Sequence, residues 1–141
     1  MAVLTTQELA TKLRSAGCKA TPQRLAVYNA LAASRQHPTA ENIYVVLREK
    51  HPNMSFATVY KALNVLSDSG VVRRLDLGES SIRYDAFVQH HNHAQCVQCG
   101  KVFDVCNLPQ DALEAQVQAE TGVDVTRHDF YFYGLCSACR K

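Results

Sequence analysis

The chain has 141 residues, 15 Lys and Arg against 13 Asp and Glu, and a net charge of +2. That length can bury a real core, as one ordinary domain or two small ones, and a charge this small does not by itself identify a nucleic-acid binder. No apolar run approaches a membrane span, and Met1 leads into Ala2-Val3-Leu4-Thr5-Thr6 without the basic start and long apolar stretch of a secretory signal. The expectation is a cytoplasmic protein with reduced thiols and no membrane partner.

Residues 1 to 85 read as short helices followed by a hairpin. A helix over residues 5 to 16 carries Leu9 and Leu13 on one face and stops at Gly17. Thr21-Pro22 reads as an N-cap with Pro at the first helical position, followed by Leu25, Val27, Tyr28 and Leu31. Thr39 caps a third helix with Ile43, Val46 and Leu47 as core, terminated at His51-Pro52-Asn53. Ser55 caps a fourth, running to about Ser69 with Gly70 as its stop, and Phe56, Val59, Leu63 and Leu66 form its apolar stripe.

The other face of this fourth helix holds Ala57, Thr58, Tyr60, Lys61 and Asn64. Small and hydrogen-bonding side chains suit a helix lying in a DNA major groove, with Tyr60 at base edges and Lys61 at phosphate; an ordinary exposed helix is the alternative. Residues 71 to 76, a turn through Gly78 and residues 81 to 85 read as a β-hairpin with arginines. Helices followed by such a hairpin describe a winged helix-turn-helix. This half carries 11 Lys and Arg against 7 Asp and Glu, and residues 86 to 141 carry 4 against 6. Any anionic partner should therefore meet the first half, an excess this small being equally compatible with an ordinary solvated surface.

Beyond residue 85 the pattern becomes a small α/β unit. Strands are expected at residues 94 to 96, 101 to 105 and 123 to 133, and Pro109 should start a helix carrying Leu113 and Val117. Phe130, Phe132 and Leu135 read as core or dimer surface. The fold class is α+β: a winged helix-turn-helix over residues 1–85 and a small α/β unit over 86–141.

The chemistry of this second half lies in its cysteines and histidines. Cys96/Cys99 and Cys136/Cys139 are two Cys-x-x-Cys pairs, and four thiolates at such spacing complete a tetrahedral shell for structural Zn(II); disulfides or buried thiols are the alternatives. The pairs stand too far apart for a simple zinc ribbon, so a folded unit must bring them together. Cys18 and Cys106 lack partners at ligand spacing and read as half-buried apolar residues. His91 and His93, two apart on an extended segment, project to the same side and can chelate one ion, or lie at the surface.

Four stretches carry a resemblance. Gly17-Cys18-Lys19-Ala20-Thr21-Pro22-Gln23-Arg24, then Ser55-Phe56-Ala57-Thr58-Val59-Tyr60-Lys61-Ala62-Leu63, then His90-His91-Asn92-His93-Ala94-Gln95-Cys96-Val97-Gln98-Cys99-Gly100-Lys101-Val102, and Tyr133-Gly134-Leu135-Cys136-Ser137-Ala138-Cys139 resemble the ferric uptake regulator (Fur) family in order and spacing. The resemblance implies a homodimeric, metal-dependent repressor that binds double-stranded operator DNA through residues 1–85, with a dimerisation and metal-binding domain over 86–141 and no small organic substrate, and brings Lys19 to the DNA backbone or minor groove. The peroxide-sensing (PerR) branch is most similar. Its regulatory ligands fall on His37, Asp85, His91, His93 and Asp104, and aspartate rather than glutamate at 104 is what points to that branch.

Mixed nitrogen and oxygen donors suit Fe(II) or Mn(II). A metal held by all five would staple the two halves, and with Fe(II) the resemblance implies that peroxide oxidises His37 or His91, releasing metal and then DNA. That is self-modification without turnover, so no enzyme is expected. A further site of some family members maps to His90, Asn92, Asp111 and His128, with Asn92, a poorer ligand, standing in place of an aspartate. An iron- or zinc-uptake regulator would share these motifs, and an unrelated thiol oxidoreductase would instead need an exposed cysteine of low pKa.

Overall fold

The computed structural model describes residues 3–34, 36–78, 80–88 and 91–140. The chain divides into two compact units, Met1–Gln89 and His90–Lys141.

The first unit packs α1 (Thr6–Ser15), α2 (Pro22–Ala32), α3 (Ala40–Lys50) and α4 (Phe56–Asp68) with a two-stranded antiparallel wing, β1 (Arg73–Leu75) and β2 (Arg83–Asp85). Each helix begins where a hydroxyl side chain at Thr5, Thr21, Thr39 or Ser55 accepts a backbone N–H three residues on. At Thr5 and Thr39 the third helical residue, Glu8 or Asn42, reaches back to close a capping box. The apolar faces meet in one core that includes Leu9, Leu13, Val27, Tyr28, Leu31, Leu63 and Leu66. Burial of each large side chain there contributes about 1.5–3 kcal/mol before chain entropy is counted. The buried Tyr28 hydroxyl accepts the Leu4 N–H at 2.9 Å, tying the start of the chain to α2.

Two expected core residues lie outside it. Val46 is 60% exposed and Phe56 is 38% exposed. In α3 the buried side is Ala40, Ile43 and Leu47, and in α4 it is Val59, Ala62, Leu63 and Leu66. Ile43, Leu47, Val59, Leu63 and Leu66 are buried as expected, and the small Ala40 and Ala62 complete the buried sides in place of Val46 and Phe56.

The second unit is a three-stranded sheet with order β4-β3-β5, built from β3 (Asn92–Cys96), β4 (Val102–Val105) and β5 (Tyr131–Gly134), plus α5 (Gln110–Thr121). β3 pairs antiparallel with β4 and parallel with β5. The strand expected over residues 123 to 133 is present only at its end, because residues 122–130 lack regular structure and pairing with β3 begins at Tyr131. Pro109 is the N-cap of α5 rather than its first helical residue, and no residue of α5 is buried. Cys106 is exposed, not half-buried, whereas Cys18 is partly buried with its Sγ 3.6 Å from Ser69 Oγ. Among the described residues no helix is long and apolar enough to cross a membrane.

Candidate metal centres

Parallel pairing of β3 with β5 brings the two cysteine pairs together. Cys96 stands opposite Gly134, so the turn after β3 and the turn after β5 leave the sheet at the same end. The first turn closes when Gly100, at φ 79°, donates its N–H to the Cys96 carbonyl at 2.9 Å. In the second, the N–H groups of Cys139 and Arg140 both reach the Cys136 carbonyl at 3.0 Å.

All six cysteines are free thiols, and the Sγ atoms of Cys96, Cys99, Cys136 and Cys139 lie within 4.8 Å of one another. Across the pairs, Cys99 Sγ is 3.8 Å from Cys136 Sγ. A tetrahedron with metal–sulfur bonds near 2.3 Å has edges of about 3.8 Å, so this spacing fits Zn(II). Backbone N–H groups, first that of Cys99 and then that of Cys136, pull the Cys96 thiol down to about 6. Cys139 is pushed up to about 12, chiefly by its hydrogen bond with Cys136. Four crowded thiols thus share charge unevenly, the condition a divalent ion relieves.

The sheet also positions three further donors. In the β3–β4 register His93 lies directly opposite Asp104, and His91 precedes it by two residues on the same side. The Nε2 atoms of His91 and His93 both approach Asp104 Oδ1, at 3.1 and 3.5 Å. Both rings are buried, with centroids 4.6 Å apart, and His93 stacks on Tyr131 of β5.

The first unit positions another pair. His37 lies between α2 and α3 with φ 53°, the one non-glycine left-handed residue among those described. Such a conformation costs on the order of 1–3 kcal/mol and persists only where surrounding contacts impose it. They are visible here: Arg83 Nη1 donates to the His37 carbonyl at 3.1 Å, Tyr84 N–H donates to the Pro38 carbonyl at 3.0 Å, and Thr39 bridges Arg83. Stitched to β2 in this way, His37 Nε2 comes within 3.4 Å of Asp85 Oδ2, and both side chains are buried. The other carboxylate oxygen of Asp85 accepts the Phe87 N–H at 2.8 Å.

The imidazole and carboxylate donors suit Fe(II) or Mn(II), and the four thiols suit Zn(II), as expected from the sequence. The remaining expected sites are more scattered. His90 lies outside the described residues. Asp111 is exposed in the first turn of α5, and His128 Nδ1 instead bonds Glu114 Oε1 at 2.7 Å, a partner that sequence reading missed. Asn92 is buried, and its carboxamide oxygen accepts the Phe130 N–H at 3.0 Å. On α4, Tyr60 and Lys61 are exposed, and Lys19 is exposed ahead of α2. Asn64 Oδ1 accepts from Arg74 of the wing at 3.2 Å, so this side chain links α4 to β1.

The model of the ferric uptake regulator family matches residues 15–133, a span that holds α4, the five His and Asp donors and the first cysteine pair. The chain belongs to the ferric uptake regulator family. This Fur-family chain is 42% identical over 135 residues to the peroxide-responsive repressor PerR of Staphylococcus epidermidis, covering 96% of itself and 90% of that protein. Among solved structures it is similar to the Helicobacter pylori ferric uptake regulator, described as having three functional metal-binding sites, with TM-score 0.87, 27% identity and coverage of 100% and 98%. It is also similar to PerR from Streptococcus pyogenes, a structure concerned with peroxide sensing and gene regulation, with TM-score 0.54, 33% identity and coverage of 98% and 95%.

Proposed function

We propose that this chain is a homodimeric, metal-dependent transcriptional repressor that leaves operator DNA when hydrogen peroxide oxidises one of its own histidine ligands. The observation that carries the proposal is the donor chemistry: buried His37 with buried Asp85 in the first unit, and buried His91 and His93 with half-buried Asp104 in the second, form two imidazole–carboxylate groups. Each group alone offers too few donors for a divalent ion of this class, whereas an ion that took both would have five N/O donors. One ion shared by both groups would couple the second unit to the helix that reads DNA.

When bound, Fe(II) would activate peroxide for oxygen transfer, and Mn(II) would not. The imidazole of His37 or His91 would be the two-electron reductant, taking up one oxygen at a ring carbon while the second peroxide oxygen leaves as water. The altered ring ligates poorly, the two units uncouple, and repression ends. The ligand is consumed and nothing turns over, so the protein is a regulator and no enzyme.

Dimerisation is supported by apolar surface in the second unit. Val117, Val123, Phe132, Tyr133 and Leu135 are all exposed in the single chain, and α5 buries nothing. A second copy would cover such a surface. Tyr60, Lys61 and Lys19 would face DNA, with Asn64 setting the angle between α4 and the wing through Arg74. Among the described residues nothing comparable supports a third ion. Asn92 is committed to Phe130, and Asp111 lies in solvent.

The test compares iron and manganese forms. Both should bind the same operator. Peroxide should release only the iron form and add one oxygen to a peptide holding His37 or His91. Equal resistance of the two forms, with no oxidised histidine peptide, would refute peroxide sensing and leave a regulator of metal uptake.

A further inference from the structure

Two clefts open side by side in the first unit and share Gln23 and Thr58. The larger, about 400 Å³, has Lys50 and His51 on its wall, and the smaller, about 180 Å³, has Arg24 and Lys61. No carboxylate stands among the described residues lining either one. With 13 Asp and Glu against 15 Lys and Arg in the whole chain, an ordinary stretch of surface would mix the signs.

The neutral lining is also rich in donors. Gln23, Asn53, Thr21 and Thr58 supply amide and hydroxyl hydrogens. The first turns of α2 and α4 border the trench, adding the positive ends of two helices of 11 and 13 residues. Arg24 is held in place, because its Nη1 donates to the Lys19 carbonyl at 2.8 Å. Its other guanidinium hydrogens remain as donors, and the same bond anchors the Lys19 segment. The trench is continuous with the α4 face that carries Tyr60 and Lys61, which favours one polyanion spanning both over a separate acidic partner.

We infer that this trench carries the sugar–phosphate backbone of one DNA strand beside the groove that α4 enters, with one phosphate between Arg24 and Lys61 and another at Lys50 and His51. The inference rests on the DNA-binding part of the proposed function, and adds Gln23, Arg24, Lys50, His51 and Thr58 to the interface. Contacts of this kind position the protein and do not read bases.

The experiment measures salt dependence of binding by the metal-loaded protein on two labelled duplexes: one of random sequence, and the tightest duplex selected by the unaltered protein from a randomised library. Replacement of one phosphate contact changes the log–log slope by about 0.9. Lys50→Gln should lower the slope by that amount and weaken both duplexes by the same factor, and Lys50→Arg should restore both; an unchanged thermal melt shows that the fold is intact. Lys61→Ala should do the same, and Lys50→Gln with Lys61→Ala should lower the slope by about twice as much.

An unchanged slope for Lys50→Gln on both duplexes would overturn the trench and confine DNA to α4. So would competition by an acidic peptide as strong as that by duplex of equal charge. Random-duplex binding needs no peroxide response, so a protein that shows the Lys50 effect but ignores peroxide would retain the trench while losing the sensor reading.

Discussion

The two units hold themselves together by different means. The first has a continuous apolar core drawn from four helices and the wing, and its chemical groups, His37 and Asp85, lie beside that core. In the second, the described buried residues are mostly ligands or polar: His91, Asn92, His93, Gln95 and Cys96, with Val102. A unit of this size with so little apolar burial needs a metal or a partner in place of a core, because chain entropy is otherwise uncompensated. The comparison teaches that a metal at the four thiols would take the place of a core in the second unit, a place that apolar side chains already fill in the first.

Cys96→Ser tests that division most severely. Zinc binding carries folding free energy on the order of 10 kcal/mol, so the variant should lose zinc and dimer, and hydrogen exchange should show β3 and β5 unprotected while α2 and α4 stay protected. Retention of zinc and dimer would place the stability of the second unit elsewhere. Leu63→Ala is the reciprocal change: removal of a fully buried side chain should cost the first unit roughly 2–5 kcal/mol, read by denaturant unfolding, with zinc content unchanged.

Asp104→Glu keeps the charge and lengthens the arm by one methylene in the second unit. It should preserve metal-dependent DNA binding and slow histidine oxidation by on the order of 10²-fold, since small displacements at a reacting centre are costly. Unaltered oxidation kinetics would show that the carboxylate does not set the ion's position.

The smallest effect belongs to the first helix. Thr5→Ala should cost about 1 kcal/mol of first-unit stability and leave the second unit untouched. The Thr5 backbone N–H holds the Glu8 carboxyl below its ordinary 4.5, with the Thr5 hydroxyl as the second cause. A lowered folded-state pKa means stability that is full above the unfolded value and lost as pH falls through the folded one. Glu8→Gln should therefore flatten the stability profile below about pH 4.5. An unchanged acid limb would show that the capping box has no energetic role.

Local chemistry was legible. Thr21, Thr39 and Ser55 mark helix starts from residues within one turn, and two Cys-x-x-Cys pairs in one short chain point to a four-thiolate shell where one pair alone would be weak. Residues 123 to 133 were misread because alternation describes a face, whereas a strand requires a neighbour, and only Tyr131–Gly134 finds β3. Val46 and Phe56 were assigned to the core because an apolar residue at roughly helical spacing does not reveal how closely the next helix approaches.

By itself the sequence determined the helix caps, the metal-binding donor types and the four stretches that resemble Fur proteins, since each depends on residues close along the chain. Tertiary structure decided the parallel β3–β5 pairing that unites cysteines 37 residues apart, the strained His37 stitched to β2, and the bonds of Arg74 to Asn64 and Glu114 to His128. Those depend on strand register and on contacts between distant segments, and neither composition nor spacing encodes them locally.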